Sequence, residues 1–258
     1  MADTVILFQD DFQSFPIGPL PFDREHSAMG EYHYSPLPGY RGQWYDPIAN
    51  CNYRGPSWLV TATDGVHYME QTRVRNPLTH GVCPVLATGE ERWQDYTFTV
   101  TLRTLCSNEE AGVLFRYQTS LMHYAFFMND NKVQFWRIEK KERTMLAEAP
   151  YEYNCDQYYT MRVTCKGNTF TGSINGEKLL TVQDDRYTYG KVALAAFMPS
   201  TRTCSSPPRR RRPPASSSAR MPSRPAWPKS AATTPAPSCT RSSTSRTSER
   251  RGRFASAI

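Results

Sequence analysis

Hydrophobic and polar side chains alternate along much of residues 1–200, most clearly toward the end of that stretch. Tyr159, Met161, Val163 and Cys165 interleave with Thr160, Arg162 and Thr164, the period-two pattern of a strand with one buried face. Lys166-Gly167-Asn168 turns the chain, and Phe170, Gly172 and Ile174 resume the alternation. Asn175-Gly176 is a hairpin signal, because both central residues of a type I′ turn need positive φ. Lys178 to Val182 follows, then a break at Asp184-Asp185 and a last apolar run from Tyr189 to Phe197. The stretch from Gln157 to Phe197 therefore predicts a four-stranded antiparallel meander.

The same pattern runs through the earlier chain. Trp58 to Thr63 and Val66 to Gln71 form a hairpin about Asp64-Gly65. Trp93 to Thr104 is the most regular strand, with Tyr96, Phe98, Val100 and Leu102 on one face and Thr97, Thr99, Thr101 and Arg103 on the other. Ala111 to Gln118, Met122 to Asn129, Lys132 to Glu139 and Arg143 to Glu148 are further strands, and Val5 to Phe8 is expected to open the domain. Gln13 to Ser57 is rich in Pro, Gly and Tyr; prolines lack ladder donors, and a loop of that length acts as a binding element or a covering flap. No amphipathic helix longer than two turns is predicted. About a dozen strands spaced at roughly 8–12 residues predict an all-β fold, a two-sheet antiparallel jelly-roll sandwich.

Several motifs carry a resemblance in the same order along the chain: D-D-F at Asp10, W-L-V-x-x-x-D-G at Trp58, W-x-D-Y-x-F-x-V at Trp93, A-G-V-L-F-R-Y at Ala111 and Y-x-M-R-V-x-x-x-G-N-x-F-x-G-x-I-N-G-E at Tyr159. Together they resemble the concanavalin A-like lectin/glucanase superfamily, nearest to laminin-G-like sandwiches and the sugar-hydrolase-related domains among them. The resemblance covers Val5 to Phe197. It implies a jelly roll that contacts an oligo- or polysaccharide through one sheet.

Charge and composition change abruptly at residue 200. The 258-residue chain carries a formal charge of +7. Residues 1–200 hold 18 Lys and Arg against 23 Asp and Glu, whereas residues 201–258 hold 13 against the single Glu249. The basicity thus belongs to the tail, and nucleic acid is not an expected partner of the mildly acidic domain. Pro, Ser, Ala, Thr and Arg dominate residues 201–258, so this tail is expected to be disordered. Twelve of its 13 basic residues are Arg, a bias the domain lacks, and the tail is read as an out-of-frame translation rather than a basic arm centred on Arg209 to Arg212. On that reading the sandwich lacks its closing strand, and Tyr189 to Phe197 is left with an unpaired edge. The N-terminus has no basic n-region or long apolar run, and no stretch is apolar enough for a membrane helix; the expectation is a cytoplasmic protein with no membrane partner. Seven cysteines without a C-x-x-C pair fit reduced thiols.

The candidate chemistry follows from aromatic and acidic residues. Trp44, Tyr45 and Trp58 lie about the proline-rich flap, while Arg116, Tyr124, Gln134 and Trp136 fall on successive central strands. Flat rings beside Arg and Gln donors suit a sugar, which offers C–H faces and hydroxyls, and these seven are the expected ligand-binding residues. Retaining glucanases of the superfamily present their acids as E-x-D-x-E or E-x-D-x-x-E on one strand, and that string is absent here. Glu90-Glu91, Glu109-Glu110 and Asp184-Asp185 are read as solvated loop acids, leaving Glu70 as the one catalytic candidate. Calcium is the one cofactor the resemblance raises, with Asp10, Asp11, Asp184 and Asp185 as donors; the five histidines show no metal-pair spacing. Three readings follow: a carbohydrate-recognition domain, a glycoside hydrolase or polysaccharide lyase, and a laminin-G-type protein-interaction sandwich.

Overall fold

The computed structural model describes residues 5–20, 44–47, 57–72, 84–105, 109–140, 142–155, 157–197 and 252–257. In chain order the strands are β1 (Gly18–Pro19), β2 (Trp58–Thr63), β3 (Val66–Gln71), β4 (Val85–Thr88), β5 (Tyr96–Arg103), β6 (Glu110–Thr119), β7 (Met122–Asn129), β8 (Lys132–Glu139), β9 (Glu142–Pro150), β10 (Tyr158–Lys166), β11 (Thr169–Ile174), β12 (Glu177–Gln183), β13 (Lys191–Phe197) and β14 (Gly252–Ala257). They form two antiparallel sheets, one ordered β1-β2-β3-β14-β5-β10-β11-β12 and the other β4-β13-β6-β7-β8-β9. This is a two-sheet jelly-roll sandwich.

The alternation in the sequence becomes the division between inner and outer faces. Phe98, Val100 and Leu102 of β5 and Met161, Val163 and Cys165 of β10 meet Val113 and Phe115 of β6, Tyr124, Phe126 and Met128 of β7, and Val133 and Phe135 of β8 in one core between the sheets. Aromatic rings fill its centre. Phe126 stacks on Phe135 at 4.7 Å between centroids, and Phe170 meets Phe115 edge-on at 5.0 Å. The intervening residues Leu114, Ala125, Phe127, Ala193 and Ala195 form a second cluster on the outer face of the six-stranded sheet, with Tyr45 packed on it. A face buried on both sides explains why β6 and β7 read as nearly continuous apolar runs.

Three expectations are corrected. Residues 5–8 form no strand, and Val5, Ile6 and Leu7 stand exposed. Val85–Thr88 is a strand that periodicity missed, since its four residues are all buried and do not alternate. The four-strand meander is three strands, β10 to β12, because β13 crosses to the other sheet and pairs with both β4 and β6. No edge of β13 is left open. The crossing loop is fastened to the six-stranded sheet: Arg137 Nη1 donates to Asp184 Oδ2 (2.5 Å), the Tyr187 N–H donates to Tyr124 Oη (3.1 Å), and Tyr187 Oη donates to the Ile138 carbonyl (3.0 Å). Residues 252–257 lie as β14 between β3 and β5. Those two strands are not hydrogen-bonded to each other, so an extended segment between them satisfies both edges. Residues 201–251, including Arg209 to Arg212, lie outside the described residues.

The crossing loop ends at Gly190 (φ +150°), where an added Cβ would stand 2.3 Å from the Arg116 carbonyl carbon and 2.6 Å from the Tyr117 nitrogen. Both neighbours are backbone and cannot move aside. Gly190→Ala should therefore cost at least about 2 kcal/mol and lower the melting temperature by about 5 °C or more in a calorimetric scan. An unchanged melting temperature would contradict this packing of β13 on β6.

Candidate functional site

The structure divides the seven expected sugar-contacting residues into two groups. Trp44, Trp58, Arg116 and Tyr124 have their side chains in the interior. Trp44 packs on Phe8 and Phe12 and donates to Asp10 Oδ2 (3.1 Å). Trp58 donates from Nε1 to the Val85 carbonyl (3.1 Å). Arg116, at φ +47°, bulges β6 inward; its Nη2 donates to the Gly167 carbonyl (3.0 Å), and Asp95 lies 3.6 Å away. Tyr124 stacks on Phe115, and its hydroxyl donates to Asp184. These four, named from the sequence as ligand-binding residues, are buried. In each case a polar handle that suits a ligand is used by the fold instead.

Tyr45, Gln134 and Trp136 come together with the outer face of the six-stranded sheet. Residues directly opposite across neighbouring strands share a face. Gln134 pairs with Phe127 and Glu148, Trp136 with Ala125 and Met145, and Ile138 with His123 and Arg143. Phe127 and Ala125 belong to the outer cluster, with Trp136 and Ile138 packed on it, so all three rows face outward.

A hydrogen-bonded strip runs along these rows. Trp136 Nε1 donates to Gln134 Oε1 (3.1 Å), Gln134 Nε2 donates to Glu148 Oε2 (3.2 Å), and Lys132 Nζ donates to Glu148 Oε1 (3.0 Å). Those two donors hold the Glu148 carboxyl below the usual carboxylate range. The Arg143 guanidinium lies over Trp136, 4.4 Å from the ring centroid, and Nη2 donates to Glu110 Oε1 at 3.0 Å. Lys132 and Arg143 keep 45 % and 36 % of their side chains exposed. The strip is therefore open to solvent at Lys132, Glu148 and Arg143, while Gln134 between them is 6 % exposed over a buried apolar floor. At the other side of the face Lys191 Nζ donates to Tyr45 Oη (2.9 Å), and Tyr45 is bridged through its backbone to Ala87.

His123 shares this face, and sequence spacing did not find it. Its Nδ1 lies 3.0 Å from the Thr119 carbonyl, and its ring is 5.5 Å from that of Tyr117. Burial, together with the nearby Arg143 charge and against the hydrogen bond to Thr119, pushes the imidazole down to about 4, so it is neutral at physiological pH. The signal that could have found it was positional: the outward alternation of β7 carries it to the row of Ile138 and Arg143.

The acidic candidates are distributed elsewhere. Glu70 is buried on the other sheet, where it accepts from Thr61 Oγ1 (3.2 Å), far in the topology from the Trp136 strip. Glu109 and Asp184 are not solvated loop acids. Glu109 is 2 % exposed, and Asp184 is held by Tyr124, Arg137 and the Arg186 N–H. Asp10 accepts from the Phe12 N–H (2.7 Å) and from Trp44, and Asp11 from the Gln13 N–H (3.0 Å). These oxygens are thus used in turns and ring anchoring, while Asp185 makes no bond to that set. Among the described residues no three His, Cys, Asp or Glu side chains form a group that could hold a metal ion. Among them also, no helix is long and apolar enough to cross a membrane.

The fold and the family whose profile it matches make this a carbohydrate-related jelly-roll domain. The chain belongs to the family described as the 3-keto-alpha-glucoside-1,2-lyase-like domain, whose profile matches residues 39–202. No curated protein matches it in sequence. Among solved structures it is similar to the carbohydrate-binding module CBM66 from Bacillus subtilis, with 12 % identity, 62 % of this chain and 94 % of that chain covered, and a TM-score of 0.47. It is also similar to the GH43 BlXynB protein from Bacillus licheniformis (12 % identity, 83 % and 36 % covered, TM-score 0.45). A Bacillus licheniformis beta-glucanase shows 12 % identity over 54 % of this chain and 69 % of that one, with a TM-score of 0.40.

Proposed function

We propose that the domain binds a saccharide on the outer face of the six-stranded sheet, along the strip from Lys132 to Arg143. The observation that carries this reading is the convergence of Trp136, Gln134, Glu148 and Arg143 on two adjacent strands of one solvent-open face. An aromatic edge bordered by a guanidinium, an amide and a carboxylate offers apolar area for sugar C–H groups and both donors and acceptors for hydroxyls. Isothermal titration with a panel of glucosides tests it. Gln134→Ala should weaken binding at least about fivefold, the cost of roughly one hydrogen bond to a ligand. Equal affinity in the variant would remove Gln134 from the site.

Membership of the lyase-like family favours a second reading of the same face, as the site of elimination on a 3-keto-glucoside. The carbonyl at C3 acidifies the C2 hydrogen, so removal of that proton and departure of the C1 oxygen need one base and one group to stabilise the enolate. A hydrolase of the retaining kind would need two carboxyl groups roughly 5–5.5 Å apart and free to act. Glu110 and Glu148, the two glutamates of the strip, are instead engaged by Arg143 and by Lys132 with Gln134. Binding with elimination therefore suits the face better than hydrolysis.

A further inference from the structure

We infer that His123 is the proton acceptor of this face, with Arg143 stabilising the enolate oxygen, an assignment that rests on the elimination reading above. A carbonyl oxygen can only accept, so the Nδ1 facing the Thr119 carbonyl at 3.0 Å carries the hydrogen. The lone pair is therefore on Nε2, and the backbone fixes this tautomer. His123 and Arg143 both pair with Ile138, one from each side, which sets their backbones about 10 Å apart across three strands. Trp136 lies on the strand between them, one outward position along from Ile138. A sugar ring resting by Trp136 thus has His123, 5 % exposed on the same face, on one flank and the Arg143 guanidinium on the other.

The step balances without an oxidant or reductant. The C2–H bond breaks and its proton passes to His123 Nε2, while the electron pair moves into the C2–C3 bond and places negative charge on the C3 oxygen beside Arg143. The enolate then re-forms the carbonyl, the C1=C2 bond forms and the C1–O bond breaks, with the pair leaving on the aglycone oxygen. That oxygen takes a proton from water, and the imidazolium releases its proton to solvent. The products are an unsaturated 3-keto sugar and an alcohol. Glu110 has a positioning role, since its carboxylate holds the guanidinium over Trp136.

The test uses the full chain and methyl 3-keto-α-glucopyranoside. Two readouts are taken: affinity by titration, and loss of the C2 hydrogen by NMR in heavy water. His123→Asn retains a donor near the Nδ1 position for the Thr119 carbonyl but has no nitrogen at the Nε2 position. C2–H loss should fall at least about 100-fold, within the range of general-base catalysis, with affinity changed less than about threefold. Glu110→Gln, which preserves size, should slow the same step with the fold retained. Wild-type C2–H loss in His123→Asn would overturn the assignment. A wild-type protein that binds the sugar but leaves C2–H intact would also overturn it while leaving the binding reading standing. Absence of binding by the wild-type protein would remove both.

Discussion

Glu109→Gln should raise the unfolding free energy at pH 8 by about 3 kcal/mol and change little at pH 4. Glu109 lies at the entrance to β6, is 2 % exposed, and has an Oε2 without a hydrogen-bond partner among the described residues. Burial raises its carboxyl from 4.5 to about 7, against the opposing effect of a bond from the Leu105 N–H. Between those two values the folded chain holds a proton that the unfolded chain has lost. Stability from this group is therefore complete below about pH 4.5, falls as pH rises, and is lost above about pH 7. A tenfold difference in proton affinity between folded and unfolded chain is worth about 1.36 kcal/mol, which sets the expected gain in the neutral variant. His123 acts with the opposite sign. Its folded value of about 4 lies below 6.5, so its contribution is present above pH 6.5 and is lost on acidification toward pH 4. In the wild-type chain the two slopes largely cancel between pH 4.5 and 6.5. Denaturant titrations across pH should show Glu109→Gln losing stability on acidification. A variant with the wild-type pH profile would mean that Glu109 is ionised and solvated.

Trp136→Ala should weaken saccharide binding by about 30-fold, the roughly 2 kcal/mol of an aromatic hot spot. Removing the indole takes away the apolar edge, frees the Arg143 guanidinium that lies over the ring, and leaves Gln134 Oε1 without its donor. The fold should survive, because Trp136 is partly exposed on the outer face and the core between the sheets does not include it. Truncation of Tyr124 or Trp58 differs in kind: both are completely buried, and their loss should cost stability before it costs affinity.

The strands were legible where one face is buried and the other wet. β2, β3 and β8 lie where alternation and turn residues place them, β7 is bounded by turn residues although both its faces are buried, and Asp64, Asp130, Asn131 and Asn175 all take the positive φ that their turns require. Legibility failed where a short strand is buried on both faces with no turn signal beside it, or where pairing is long-range. β4 is apolar at every position except its last, and β13 leaves its neighbours in sequence because Asp184, Tyr187 and Gly190 are fastened to the six-stranded sheet and to the Trp93 carbonyl. The site was half legible for the same reason. Alternation assigns a residue to one of two faces but does not say which face is the interior. Trp136 and Gln134 fell outward, while Tyr124, on the neighbouring strand, fell inward. Arg116 shows the further difficulty of a bulge. Its positive φ breaks the parity of β6, so Leu114 and Tyr117, three apart, share the outer face. His123 escaped notice because a single histidine has no spacing signature, only a register.

The most direct measurement compares two substitutions on opposite sheets by titration with a glucoside ligand. Trp136 lies on the outer face of the six-stranded sheet, and Tyr158, stacked on Tyr68, lies on the outer face of the eight-stranded one. Placing the saccharide on the first face predicts that Trp136→Ala loses about 30-fold in affinity while Tyr158→Ala binds as the wild type does. Loss of binding in Tyr158→Ala, with Trp136→Ala unaffected, would place the site on the other sheet and contradict the account.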